Sequence, residues 1–170
     1  MDHLGQPLKP LEAGAGSAAP PRRLLFTAIA AAALAIAAPP ALAWQGPPKA
    51  SPPTAPSSGA PPPAWIETQA QSAWLFYGSY CWQTMCVDLI PPETRPSLPT
   101  FTVVRRRTVR VHLRFVATSA TVSIDRRKVS ASFNARTRIV SWSANRAGIL
   151  TISARSAAGD ASYVARLRVR

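Results

Sequence analysis

The chain has 170 residues and a formal net charge of +13, from 20 Lys plus Arg against 7 Asp plus Glu. That length holds one ordinary domain and excludes large enzyme scaffolds, while the charge points to polyanionic partners rather than cationic substrates. Of the 20 cations 17 are Arg, alongside 18 Pro, a bias shared with proteins of high-GC genomes, so the charge has to be read by position.

The chain opens with a targeting pattern. Arg22-Arg23 form a basic region, Leu24 to Ala38 an uncharged apolar run, and Pro39-Pro40-Ala41-Leu42-Ala43 ends in the small-x-small pattern of signal-peptidase sites. This order predicts a signal peptide over residues 1–43, cut after Ala43. The alternative is a retained N-terminal anchor, although the 15 apolar residues rise only about 22 Å as a helix against about 30 Å of hydrocarbon. Either way the basic flank stays inside and the remainder is exported, secreted or held in the cell envelope. The paired arginines leave Sec and twin-arginine export both open.

Residues 44–63 follow as a Pro-rich linker. From Pro47 to Pro63 eight of 17 residues are Pro, a composition that builds no core and predicts an extended, disordered spacer.

From Ala64 the pattern is that of a β protein. The clearest strand is Thr108 to Val116, where Val109, Val111, Leu113 and Phe115 alternate with Arg110, His112 and Arg114. Shorter alternations run through Val122 and Ile124, Val129 to Phe133, Val140 and Trp142, Leu150 and Ile152, and Tyr163 to Val169. Asp125 to Lys128, Asn145 to Gly148 and Ala157 to Asp160 carry turn chemistry between them. Upstream, Trp65-Ile66 and Trp74 to Tyr77 supply two further strands, with a helical turn over Ile66 to Ala73 as the other option. The expected fold is an all-β, Ig-like antiparallel sandwich over residues 64–170, with about seven to nine strands. Its expected core includes Val109, Val111, Leu113, Phe115, Val122, Ile124, Val140, Trp142, Leu150, Ile152, Tyr163 and Leu167.

Cys81 and Cys86 lie five positions apart. In an exported chain such thiols oxidise, and closing so small a loop is worth roughly 2 kcal/mol; we therefore expect a disulfide that pins the N-terminal strands to the core. A structural zinc site wants four ligands, and only His112 is added as a nitrogen ligand beyond residue 43. No metal or cofactor is expected.

Gly78-Ser79-Tyr80-Cys81-Trp82, with Cys86 and Asp88, and the ending Gly159 to Leu167 resemble uncharacterised secreted proteins of high-GC bacteria with an Ig-like sandwich. The resemblance implies an architecture and no activity. Asp160-Ala161-Ser162-Tyr163 is also similar to the tyrosine-bearing strand of Ig domains, but no Cys follows it, so neither the intersheet disulfide nor the tyrosine corner is implied.

Between Arg95 and Arg170 there are 16 Lys/Arg against two Asp, so the charge belongs to the β domain. The expected anion-binding residues are Arg105, Arg106, Arg107, Arg110 and Arg114 on one strand and its entrance, with Arg166 and Arg168 at period two on another. Alternation would direct them to common sheet faces, which otherwise serve only as solvated surfaces. Enzyme chemistry finds little support. His112 lies between two Arg, whose charge should disfavour its protonated form, and would need Asp88, Asp125 or Asp160 beside it for a hydrolytic triad. No nucleophile elbow, phosphate-cradling loop or EF-hand pattern occurs in the sequence.

The resulting expectation is a non-enzymatic envelope module that binds an anionic cell-wall polymer, a lipid head group or an acidic protein. A purely structural Ig-like domain is the alternative, followed by a nucleic-acid-binding protein or a hydrolase. Nucleic acid is disfavoured because Phe115, Phe133, Trp142 and Tyr163 fall on inward positions and leave no stacking platform; no small-molecule substrate is expected.

Overall fold

The computed structural model describes residues 43–170, so the signal-peptide expectation for residues 1–43 lies outside the described residues but for Ala43. Alternating apolar positions form β1 (Trp65–Glu67), β2 (Ser72–Trp74), β3 (Phe76–Trp82), β4 (Met85–Val87), β5 (Thr100–Val103) and β6 (Thr108–His112). They continue through β7 (Ala117–Ile124), β8 (Arg127–Val129), β9 (Ser132–Asn134), β10 (Ile139–Ser143), β11 (Gly148–Ser156) and β12 (Gly159–Val169). Among the described residues, no helix is long and apolar enough to cross a membrane.

The strands make two sheets. One has five in the order β2-β1-β6-β10-β9; the other has seven, β4-β3-β12-β11-β7-β8 with β5 parallel to β12. Strands β5 to β12 by themselves reproduce the Ig-like order, β6-β10-β9 facing β5-β12-β11-β7-β8. Four strands precede these, three of them of three residues each and β3 of seven. β1 and β2 extend the β6 edge, and β3 and β4 pair along the first half of β12, end to end with β5.

Period two assigns the core. Ile66, Val111 and Val140 lie in register across the five-stranded sheet and are wholly buried. Val122, Ile152 and Tyr163 do the same across the seven-stranded one. All twelve core positions expected from the sequence are buried. Trp142 sits among them with its indole N–H unpartnered by any described group. The β7–β8 hairpin turns on Asp125-Arg126, both at positive φ (47° and 63°), the twist that a two-residue hairpin requires. Gly159, at φ 134°, lies so close to the Cys81 carbonyl that a Cβ would clash with it, so only Gly suits this position.

Four expectations need correction. β6 ends at His112, not Val116: the Leu113 N–H still bonds the Arg138 carbonyl in the β6–β10 register, and the chain then bends at Arg114-Phe115, with Leu113 and Phe115 buried. Val129 to Phe133 is two strands, one in each sheet, because the chain crosses the sandwich at Ser130-Ala131. The Cys81–Cys86 disulfide forms, yet it joins facing residues of β3 and β4 and so staples a hairpin rather than tying strands to the core.

The fourth correction concerns residues 44–63, which do not stand off as a free spacer. Trp44 stacks on Arg110, the Gly46 N–H reaches Glu67, and Trp74 Nε1 donates to the Ala50 carbonyl. Farther on, Ser57 Oγ lies 2.8 Å from the Tyr80 hydroxyl, Pro61 is buried, and the Tyr163 hydroxyl donates to the Pro62 carbonyl. Pro-rich chain builds no core, but it can lie along one when aromatic side chains offer anchors.

Candidate functional site

Three regions hold most of the arginines expected to bind anions. On the outer face of the five-stranded sheet, register places Trp65 opposite His112 and Glu67 opposite Arg110. The His112 and Trp65 rings stack at 3.8 Å, and His112 Nε2 lies 2.7 Å from Glu67 Oε1. Glu67 is only 1% exposed, and its other oxygen accepts the Gly46 N–H at 3.2 Å. Arg110 is half-buried, with its guanidinium 3.5 Å from the centre of the Trp44 ring. The β2-β1-β6 part of this face is therefore covered by the segment from Trp44 to Ala50, while Arg110 also borders an open groove with Ser132, Asn134 and Ser141 of β9 and β10. His112, expected to answer mainly to Arg110 and Arg114, instead has the Glu67 carboxylate as its direct partner. The three aspartates weighed as triad members are engaged elsewhere: Asp88 accepts from Ser79, Asp125 from the Ile149 N–H, and Asp160 from Arg155.

Arg166 and Arg168 lie on β12 in the other sheet. Their exposed side chains alternate with buried Ala165 and Leu167 and so face away from the sandwich on the side opposite Arg110. The two arginine rows do not share a face. The same outer surface carries a groove of about 480 Å³ lined by Ser79, Ser119, Thr121, Ser153, Arg155 and Asp160. Within it Arg155 and Asp160 pair at 3.0 Å, and that hydrogen bond raises the Arg155 pKa.

The third region is one end of the sandwich. Residues Val104 to Arg107 form the β5–β6 turn, closed by the Arg107 N–H on the Val104 carbonyl. Arg105 N–H donates to Arg170, Arg170 N–H to Val103, Arg106 N–H to Ala144, and Ala144 N–H to Arg107. These bonds bring the β5–β6 turn, the end of β12 and the Asn145-Arg146 connection to one place. Asp125 N–H donates to the Ile149 carbonyl, which sets the Asp125-Arg126 turn beside them. Arg105, Arg106, Arg107, Arg126, Arg146 and Arg170 are all exposed there.

Acidic side chains at this end are already committed. Asp125 Oδ1 accepts the Ile149 N–H at 2.8 Å, and Glu93 holds Arg126 at 3.0 Å. Glu93's pKa is lowered chiefly by a backbone hydrogen bond, with Arg126 adding to it. No ion pair joins Arg105, Arg106, Arg107, Arg146 or Arg170 to another described residue. Arg106 and Arg126 both hold φ at 63°, where a residue with a Cβ costs roughly 1 kcal/mol or more over Gly.

Of the seven arginines singled out in the sequence, Arg105, Arg106 and Arg107 thus belong together; Arg168 lies next to them along β12, two residues before Arg170. Arg110 is partly covered by Trp44. Arg114 lies at the opposite end, next to Leu113, whose N–H meets Arg138. Arg146 is a single arginine in a turn and carries no periodic signal, whereas Arg170 continues the period-two row of Arg166 and Arg168, which by itself points to the sheet face rather than to this end. The Ig-like strand order would have placed their connections beside the β5–β6 turn. Among the described residues no group of three His, Cys, Asp or Glu is placed to hold a metal ion. No family model, curated protein or solved structure matches the chain.

Proposed function

We propose that this chain is an exported, envelope-associated interaction module that binds an anionic partner through the cationic end of its sandwich. The observation that carries this is the backbone network that gathers Arg105, Arg106, Arg107, Arg146 and Arg170 at one end without neutralising partners. Like charges held together cost self-repulsion, which a bound polyanion relieves. A guanidinium fork suits phosphate or carboxylate oxygens because it can bind two at once. The export pattern of residues 1–43 supports a partner among cell-wall polymers, lipid head groups and acidic proteins.

Retention on immobilised heparin as a function of salt tests this. The protein should bind at low ionic strength and elute early as salt rises, since exposed charges are screened over about 8 Å at 0.15 M. The triple reversal R105E/R107E/R146E should abolish retention. The triple reversal R114E/R136E/R138E changes net charge equally at or near the opposite end and should leave much of it. Equal losses from both sets would mean that net charge alone acts, and absence of retention at low salt would leave a purely structural domain.

A further inference from the structure

The cationic end also carries apolar surface. Val104, at the start of the β5–β6 turn, is 47% exposed, whereas the alternation of β5 has just buried Phe101 and Val103. Beside it lies a groove of about 340 Å³ between the β5–β6 and β1–β2 turns, with Ala70, Val103 and Val104 as apolar wall and Arg107 and Arg170 among its lining. Its frame is fixed: Thr68 Oγ1 accepts the Ala70 and Gln71 N–H groups, and Gln71 Nε2 reaches across to the Thr102 carbonyl. A soluble polyanion has no use for an exposed Val between arginines and an apolar wall. An amphiphile with an anionic head has use for both.

The chain path agrees. Gln45 Nε2 donates to the Gln69 carbonyl in the β1–β2 turn, so the chain following residue 43 joins the sandwich at this same end. In sequence, the apolar run Leu24 to Ala38 stands just upstream of that point.

We infer that this end is a bilayer-docking surface: Arg107 and Arg170 take the phosphate of an anionic phospholipid, Val104 and the Ala70 wall meet the glycerol and first acyl carbons, and Arg105, Arg106 and Arg146 lie over the neighbouring head groups. The inference rests on the anionic-partner proposal and names its partner. Near an anionic leaflet each arginine contributes about 1 kcal/mol, roughly a fivefold change in affinity. Burying the Val104 side chain adds about tenfold.

Sedimentation with vesicles of phosphatidylglycerol and phosphatidylcholine, beside vesicles of phosphatidylcholine alone and beside heparin, separates the possibilities. The protein should bind the mixed vesicles and not pure phosphatidylcholine. V104S should weaken vesicle binding about tenfold and V104F should strengthen it, while both leave heparin retention unchanged. R107Q/R170Q should weaken vesicle binding about 25-fold. Val104 and both arginines are solvent-facing, and unchanged thermal unfolding will show that the variants fold. Vesicle binding indifferent to V104S and V104F, or heparin binding without vesicle binding, would overturn the bilayer assignment while leaving the anionic-partner proposal standing. Failure on every anionic surface would overturn both.

Discussion

Tyr163 is the residue in which the interior is most plainly chemical. It lies in register between Ile152 and Tyr77 and is fully buried, and its hydroxyl donates to the Pro62 carbonyl at 2.6 Å. Burial, reinforced by Tyr77, raises its pKa far above the usual tyrosine value, and burial raises that of Tyr77 as well. The folded state therefore keeps these protons at a pH where the unfolded chain releases them. Stability should be flat up to about pH 9 and fall as pH rises through about 10 and beyond, by as much as about 1.4 kcal/mol per pH unit for each such tyrosine. Denaturant midpoints measured from pH 8 to 11 check this; the fall should be shallower in Y163F, and a flat profile in the parent would contradict it. Burial of Tyr163 was legible from its alternation with Ala165 and Leu167. Its partner was not, because Pro62 lies 101 positions away in a segment whose composition argued only for extension.

The segment from Trp44 to Ala50 shows why one element was misread. Proline content reports the absence of a self-contained core, but docking onto an existing core needs only a few anchors. Here they are Trp44 on Arg110, the Gly46 N–H on buried Glu67, and Trp74 Nε1 on Ala50. A cation–π contact of this kind is worth about 1 kcal/mol when partly exposed. Trp44→Ala should therefore lower the unfolding free energy by about that amount, read from the shift in denaturant midpoint at unchanged slope. An unchanged midpoint would mean that the segment contributes nothing to the fold. Strand ends were misread for a related reason. Alternation continues through Leu113 and Phe115 because both face the core, although the chain bends away from β10 at Arg114-Phe115, right after the Leu113 bond to Arg138.

For the whole molecule, layer architecture and core were legible because period two marks one face of each strand. The shared face was not, since periodicity says nothing about which sheet a strand joins. Arg110 and Arg166 are equally good outward positions, and topology puts them on opposite sides of the sandwich. Conversely, Arg107, Arg146 and Arg170 belong to no common row in the sequence, yet two connections and the end of β12 meet through Ala144, Val103 and Arg105. The cationic end is thus a product of the Ig-like strand order rather than of any one strand.

The most direct test of that end as the binding surface is a residue-resolved footprint: backbone amide shifts of the protein during titration with a short heparin oligosaccharide at low salt. Perturbations should concentrate at residues 104–107, 144–147 and 168–170, with Arg110, Arg155 and Arg166 nearly unmoved. Perturbations centred on either sheet face, or spread evenly over every exposed arginine, would contradict it.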